Sequence, residues 1–152
     1  ALMRLGAEAA APALDAFYRQ WQDEPLVVNK WLALQALADW PDALERVQAL
    51  LKHPAYDAGE PNKVYALIRG FAANQPWFHQ ASGAGYAFIA DQTLTIDAKN
   101  PQVASRLVRS LIRWRRFDSS RQALMRAQLE RLAGTASLSR DVGEIVGKAL
   151  EG

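Results

Sequence analysis

At 152 residues the chain is long enough for one domain with a sizeable core, and with half its residues apolar and 22% charged it reads as folded rather than disordered. It has no cysteine, which excludes disulfides, thiolate nucleophiles and zinc–thiolate sites and fits a reducing compartment. The net charge of +2 conceals a basic stretch: residues 101–131 hold eight arginines, no lysine, and only Asp118 and Glu130, giving +6, whereas residues 1–100 sum to −3.

The opening ALMRL reads as helix-like and, lacking an initial Met, suggests a chain cut from something longer. In LDAFYRQW, Leu14, Phe17, Tyr18 and Trp21 fall at i, i+3, i+4 and i+7, an amphipathic stripe. After Pro25 the pattern repeats through Val27, Trp31, Leu34 and Ala38. PDALERVQALLKHP opens with Pro41 and Asp42, turns Leu44, Val47, Leu50 and Leu51 inward, and stops before Pro54. PNKVYALIRGFAANQP uses Val64, Leu67, Ile68 and Phe71 before Pro76. A turn at SGAG (82–85) leads into YAFIADQTLTI, whose last four residues are strand-like but too short and isolated for a sheet.

Asn100 is a favoured cap and Pro101 a favoured first helical residue, so a helix is expected over about 101–115, with Val103, Leu107, Val108, Leu111 and Ile112 on its apolar side. Gln102, Arg106, Arg109 and Arg113 follow at steps of four, three and four, which lines them along one face. SSRQALMRAQLERLAG then ends at Gly134, and SRDVGEIVGKAL begins at a Ser139 cap. Eight helices result. Taken in pairs they begin near residues 8, 42, 84 and 119, intervals in the range of two-helix repeats. The expected fold is all-α, a solenoid of about four helical hairpins forming one domain over 1–152, with a compact irregular bundle as the alternative. No apolar run reaches the length of a membrane span, so no membrane partner is expected.

Chemistry is harder to find. His53 and His79 are the only histidines, neither spaced with a second ligand, and no HExxH motif is present. His53, before Pro54, is expected to help satisfy last-turn carbonyls, and His79, after Trp77 and Phe78, to pack. SGAG could form a small anion-binding turn but lacks the Lys and Ser/Thr of a phosphate loop, so a flexible turn is the plainer reading. Asp23/Glu24 and Asp57/Glu60 are expected to be solvated or to cap helices, and Trp21, Trp31 and Trp114 to pack in the core. No catalytic residue and no metal ligand is expected in this chain. The arginine face admits three readings: a solvated surface, a nucleic-acid or acidic-protein site, or the wall of a cavity in which guanidinium groups grip carboxylates.

NPQVASRLV and RWRRFDSSRQALMRAQLERLA resemble the C-terminal end of the bacterial aminopeptidase N family, zinc-dependent alanyl aminopeptidases of the gluzincin class. FYRQWQDEPLVVNKWLALQA, LLKHPAYDAGEPNKV and FAANQPWFHQASGAGYAF resemble the same region in the same order, so the likeness runs over about 14–150. It implies a HEAT/armadillo-like superhelix that caps a separate, preceding catalytic domain, where the zinc and its HExxH motif lie. It also implies that Gln102 and Arg106 face the peptide channel, whereas Arg109 and Arg113 extend the stripe as channel or interface residues. The implied partners are the catalytic domain of the same polypeptide and peptide substrates, in the cytoplasm, with no cofactor in this chain and no nucleic acid.

Overall fold

The computed structural model describes residues 6–151, and their regular structure is entirely helical, as the periodicity predicts. The ALMRL reading lies outside the described residues. The chain divides into two compact units, Ala1–Phe78 and His79–Gly152.

Among the described residues the first unit has five helices: α1 (Ala7–Trp21), α2 (Pro25–Ala36), α3 (Ala43–Leu50), α4 (61–72) and the single turn α5 (Gln75–Phe78). Pro25 and Pro61 occupy first-turn positions, where a missing N–H costs nothing. The core gathers Val28, Trp31, Leu32, Val47, Leu67, Ile68 and Phe71, all buried. Two of its polar side chains reach across to backbone carbonyls. Trp31 Nε1 donates to the Leu14 carbonyl at 3.0 Å, tying α2 to α1. Buried Asn74 donates from Nδ2 to the Ala36 and Ala38 carbonyls, both at 2.9 Å, and so satisfies backbone oxygens that the end of α2 leaves without helical partners. Midway, α4 widens into a π turn at Tyr65–Arg69 packed against α2. The next residue, Gly70, permits close approach, because a Cβ there would lie 3.1 Å from that of Ala36.

The α1 stripe is only partly buried. Leu14 is in the core, but Phe17 and Trp21 remain 42% and 38% exposed, and Leu34 of α2 is 50% exposed. The spacing identifies the apolar side chains correctly, yet α2 covers only one flank of the face they form.

The second unit comprises α6 (Ala84–Asp97), α7 (Pro101–Val108), two 3₁₀ turns (Arg109–Leu111 and Trp114–Arg116), α8 (Ser119–Ala133) and α9 (Arg140–Leu150). The strand-like TLTI run lies within α6. Thr93 returns its hydroxyl to the Ile89 carbonyl at 2.8 Å, and Thr93 and Ile96 are buried, so packing overrides their β preference. Within this unit α6 packs on α7 and α8, and α9 packs on the same two helices. Buried Asp97 at the end of α6 accepts from both the amide and the hydroxyl of Ser139, while that hydroxyl accepts from the Val142 amide to cap α9. Helices begin at Ala7, Ala43, Ala84 and Ser119, within a residue or so of the expected hairpin starts. The ninth helix beyond the expected eight is α5.

Candidate functional site

Asn100 and Pro101 set up α7 as their residue types demand. Asn100 has an extended backbone, its Oδ1 accepts from the Val103 amide at 3.3 Å, and Pro101 takes the first helical position. Val103, Ala104, Leu107 and Val108 are buried, which turns Gln102 and Arg106 outward together, both exposed and one helical turn apart.

The helix then ends earlier than the sequence suggests. Regular α geometry stops at Val108, a 3₁₀ turn follows over Arg109–Leu111, and Arg113 leaves helical conformation at φ −93°, ψ 25°. Ser105 already bonds back to the Gln102 carbonyl at 2.7 Å, a competitor to the helical ladder. Beyond the break two side chains anchor on α9 instead. The buried Trp114 indole donates to the Ala149 carbonyl at 2.9 Å, and Arg115 donates to the same oxygen at 2.9 Å and to the Glu151 carbonyl. Gln102, Arg106, Arg109 and Arg113 therefore do not form one stripe on one helix. Gln102 and Arg106 share a face of α7, Arg109 opens the 3₁₀ turn, and Arg113 sits between the two 3₁₀ segments.

Arg109 lines a groove of about 590 Å³ between the α7 segment and α9. Ser105, Ile112 and Arg115 share its wall, facing Asp141, Glu144 and Lys148, so positive and negative side chains meet across it. Sequence reasoning overlooks Ser105, Arg115 and Lys148, although Ser105 and Arg109 stand four residues apart and Asp141, Glu144 and Lys148 follow helical spacing. Those spacings are the signal that could find them.

Much of the +6 stretch is engaged locally. Arg121 pairs with Asp118 at 3.1 Å and donates to the His79 carbonyl at 2.8 Å. Arg126 pairs with Glu130 at 2.7 Å, and Arg131 reaches Asp91 at 2.8 Å and Gln128 at 2.9 Å. Arg115 and Arg126 also lie over the Trp114 ring, at 4.3 and 5.5 Å from its centre. Asp118, which caps α8 and accepts from Arg121, is held below the usual carboxylate range by those hydrogen bonds.

The two histidines are likewise structural. His53 Nδ1 accepts from the Ala55 amide at 3.0 Å, rather than donating to last-turn carbonyls, because the chain turns at Pro54 and brings that N–H to the ring. Its ring packs against Tyr18 and Trp31 at 4.6 and 5.1 Å between centres. His79 shares a 2.6 Å hydrogen bond with the Tyr86 hydroxyl and stacks on Phe117 at 4.4 Å. Burial lowers both imidazole pKa values; nearby Asp15 partly offsets this at His53, while Arg121 adds to it at His79. SGAG forms a turn in which Gly83 takes φ +77° and Ser82 accepts from the Ala84 amide. Among the described residues no three His, Cys, Asp or Glu side chains converge.

A family model described as "Domain of unknown function (DUF3458_C) ARM repeats" matches residues 1–151. The chain is 47% identical over 150 residues to Aminopeptidase N of Caulobacter vibrioides, covering 98% of this chain and 17% of that protein. To Aminopeptidase N of Escherichia coli it is 41% identical over 157 residues, covering 99% and 18% respectively. The crystal structure of Legionella pneumophila aminopeptidase A in complex with aspartic acid superposes with a TM-score of 0.90 at 39% identity, over 94% of this chain and 17% of that one. This chain thus spans less than a fifth of each of these relatives. It belongs to the DUF3458_C family of ARM repeats, and its likeness to bacterial aminopeptidase N extends along nearly its whole length.

Proposed function

We propose that residues 1–152 act as one C-terminal helical domain of a zinc aminopeptidase, closing the active-site cavity and lining the channel by which peptides reach it. The observation that carries this reading is the combination of 41–47% identity along 89–99% of this chain with a share of only 16–18% of the aminopeptidases matched. Such a chain corresponds to a segment of the larger enzyme. Its partner is the catalytic domain of the same polypeptide, which carries the zinc and the peptide chemistry, and its setting is the cytoplasm. No helix among the described residues is long and apolar enough to cross a membrane.

Gln102 and Arg106 are the channel residues in this reading. Capping by Asn100 and the buried face of α7 hold their backbone fixed, so an amide and a guanidinium are presented together toward the peptide. Arg suits the role because its rigid fork grips a carboxylate with two parallel hydrogen bonds, and water removed by closure strengthens that contact. Enclosure also selects by size, admitting short peptides and excluding folded chains. Arg109, on the groove beside α9, and Arg113 serve the channel margin or the interface with the catalytic domain. An autonomous nucleic-acid module is less well supported, because Arg115, Arg121, Arg126 and Arg131 already have partners within the unit.

The test is Arg106→Ala in the complete enzyme. Loss of a charged hydrogen bond to substrate corresponds to about a tenfold or greater fall in kcat/KM. Unchanged kcat/KM for dipeptides and longer peptides alike would exclude contact with substrate.

A further inference from the structure

Opposite charges line the groove between the α7 segment and α9, yet they do not join. Arg109 and Lys148 stand on its walls with Asp141 and Glu144. Among the described residues, no guanidinium or ammonium lining the groove comes within ion-pairing distance of either carboxylate, and Glu144 pairs instead with Arg140 at 3.0 Å. Arg115 has already committed donors to the Ala149 and Glu151 carbonyls. Ile112 and Ile145, both half-buried, add an apolar part to the walls. Ser105 donates its hydroxyl to the Gln102 carbonyl at 2.7 Å, which leaves the oxygen's lone pairs for a donor in the groove. The volume of about 590 Å³ falls within the roughly 300–1,000 Å³ of small-molecule sites.

We propose that this groove binds a small zwitterion of the amino-acid type, a free amino acid or a dipeptide. Arg109 and Lys148 hold its carboxylate, Asp141 and Glu144 its ammonium, and Ile112 and Ile145 receive its side chain. The charge pattern selects the occupant. A simple anion drawn to Arg109 and Lys148 would face two carboxylates, and a simple cation drawn to those carboxylates would face two cations. Only a ligand carrying both signs is matched on every side. Arg109 suits the carboxylate because its planar fork can take both oxygens, with Lys148 as a mobile point charge beside it. The termini of a longer extended peptide stand too far apart to reach both sets of groups within one groove. This assignment goes beyond the cap reading, which gives Arg109 no ligand of its own.

Photolabelling of the complete aminopeptidase chain with the diazirine analogue of leucine tests this. Irradiation should place adducts in the segments 105–115 and 141–149. The N-acetyl probe, which lacks the ammonium, and the amide probe, which lacks the carboxylate, should each label those segments about tenfold less, the loss of one charged hydrogen bond. Arg109→Gln and Asp141→Asn should each weaken the groove adducts to a similar extent while adducts elsewhere keep their yield, which controls for folding. Competition by leucine against the hydrolysis-resistant D-leucyl-D-leucine tells amino acid from dipeptide, and displacement by either supports the site. Absence of adducts in both segments would overturn the proposal, as would equal labelling by the N-acetyl and amide probes, the mark of apolar trapping only. Undiminished groove labelling in both variants would overturn it too. The adducts are read without turnover, so they can stand if Arg106→Ala leaves kcat/KM unchanged, and can fail if it does not.

Discussion

Burial of the His53 and His79 rings couples stability to pH. Both imidazoles are held below their ordinary pKa of 6.5 chiefly by burial, with Arg121 adding to the effect at His79. The unfolded chain therefore takes up protons near pH 6.5 that the folded chain refuses until lower pH. The stability these rings contribute is complete above that value and is lost as pH falls toward the folded pKa values. Asp118 acts in a separate window, because its depressed carboxyl titrates below its ordinary 3.8. We expect the urea midpoint to fall between pH 7.5 and pH 5.5, and the fall to shrink in His79→Gln, which keeps a polar side chain near Tyr86. A midpoint that is flat or rising over this range would show that neither ring is held neutral by the fold. Tyr56 provides the alkaline counterpart: its hydroxyl is pushed up to about 12 by burial and by Asp57, so its contribution declines as pH rises above 10.

Among the elements, the start of α6 depends on a residue without a side chain. Gly83 sits at φ +77°, a conformation costly for residues bearing a Cβ, and a Cβ there would lie 3.0 Å from a methyl of Leu124. Gly83→Ala should destabilise the fold by about 1–3 kcal/mol through strain and crowding, readable as a lower denaturant midpoint with an unchanged m-value. A neutral result would mean that Leu124 and the turn relax together. Most helix boundaries were legible because Pro, Asn and Ser announce them: Asn100 and Ser139 each accept the amide that a cap should accept. The early end of α7 was not legible. It is associated with Trp114 and Arg115 reaching carbonyls 34–36 residues away, and no local pattern encodes a partner at that distance. TLTI, too short for a sheet by its sequence, lies in α6 because buried packing there outweighs four residues of β preference.

At the scale of the whole molecule, net charge and usable charge differ. The +6 stretch looks in sequence like a surface for polyanions, yet Arg115, Arg121, Arg126 and Arg131 among its arginines have partners within the second unit, and ion pairs open to solvent add little to stability. Binding to random-sequence oligonucleotides should accordingly be weak and show no steep loss between low and moderate salt. A slope reflecting several phosphate contacts would restore the nucleic-acid reading. For Gln102 and Arg106 the spacing made legible that they share an exposed face of α7. It was not legible for Arg109 and Arg113, whose directions follow from the break in the helix. The Trp114 clamp on Ala149 has a spectroscopic consequence. Trp21, Trp31, Trp40 and Trp77 all belong to the first unit, so Trp114 is the single indole of the second. Its fluorescence, shaped by the two guanidinium groups over the ring, is a built-in optical probe for the release of α9. The four remaining indoles lie in the other unit, so the difference between melts of the chain and of its Trp114→Phe variant isolates the signal of the second.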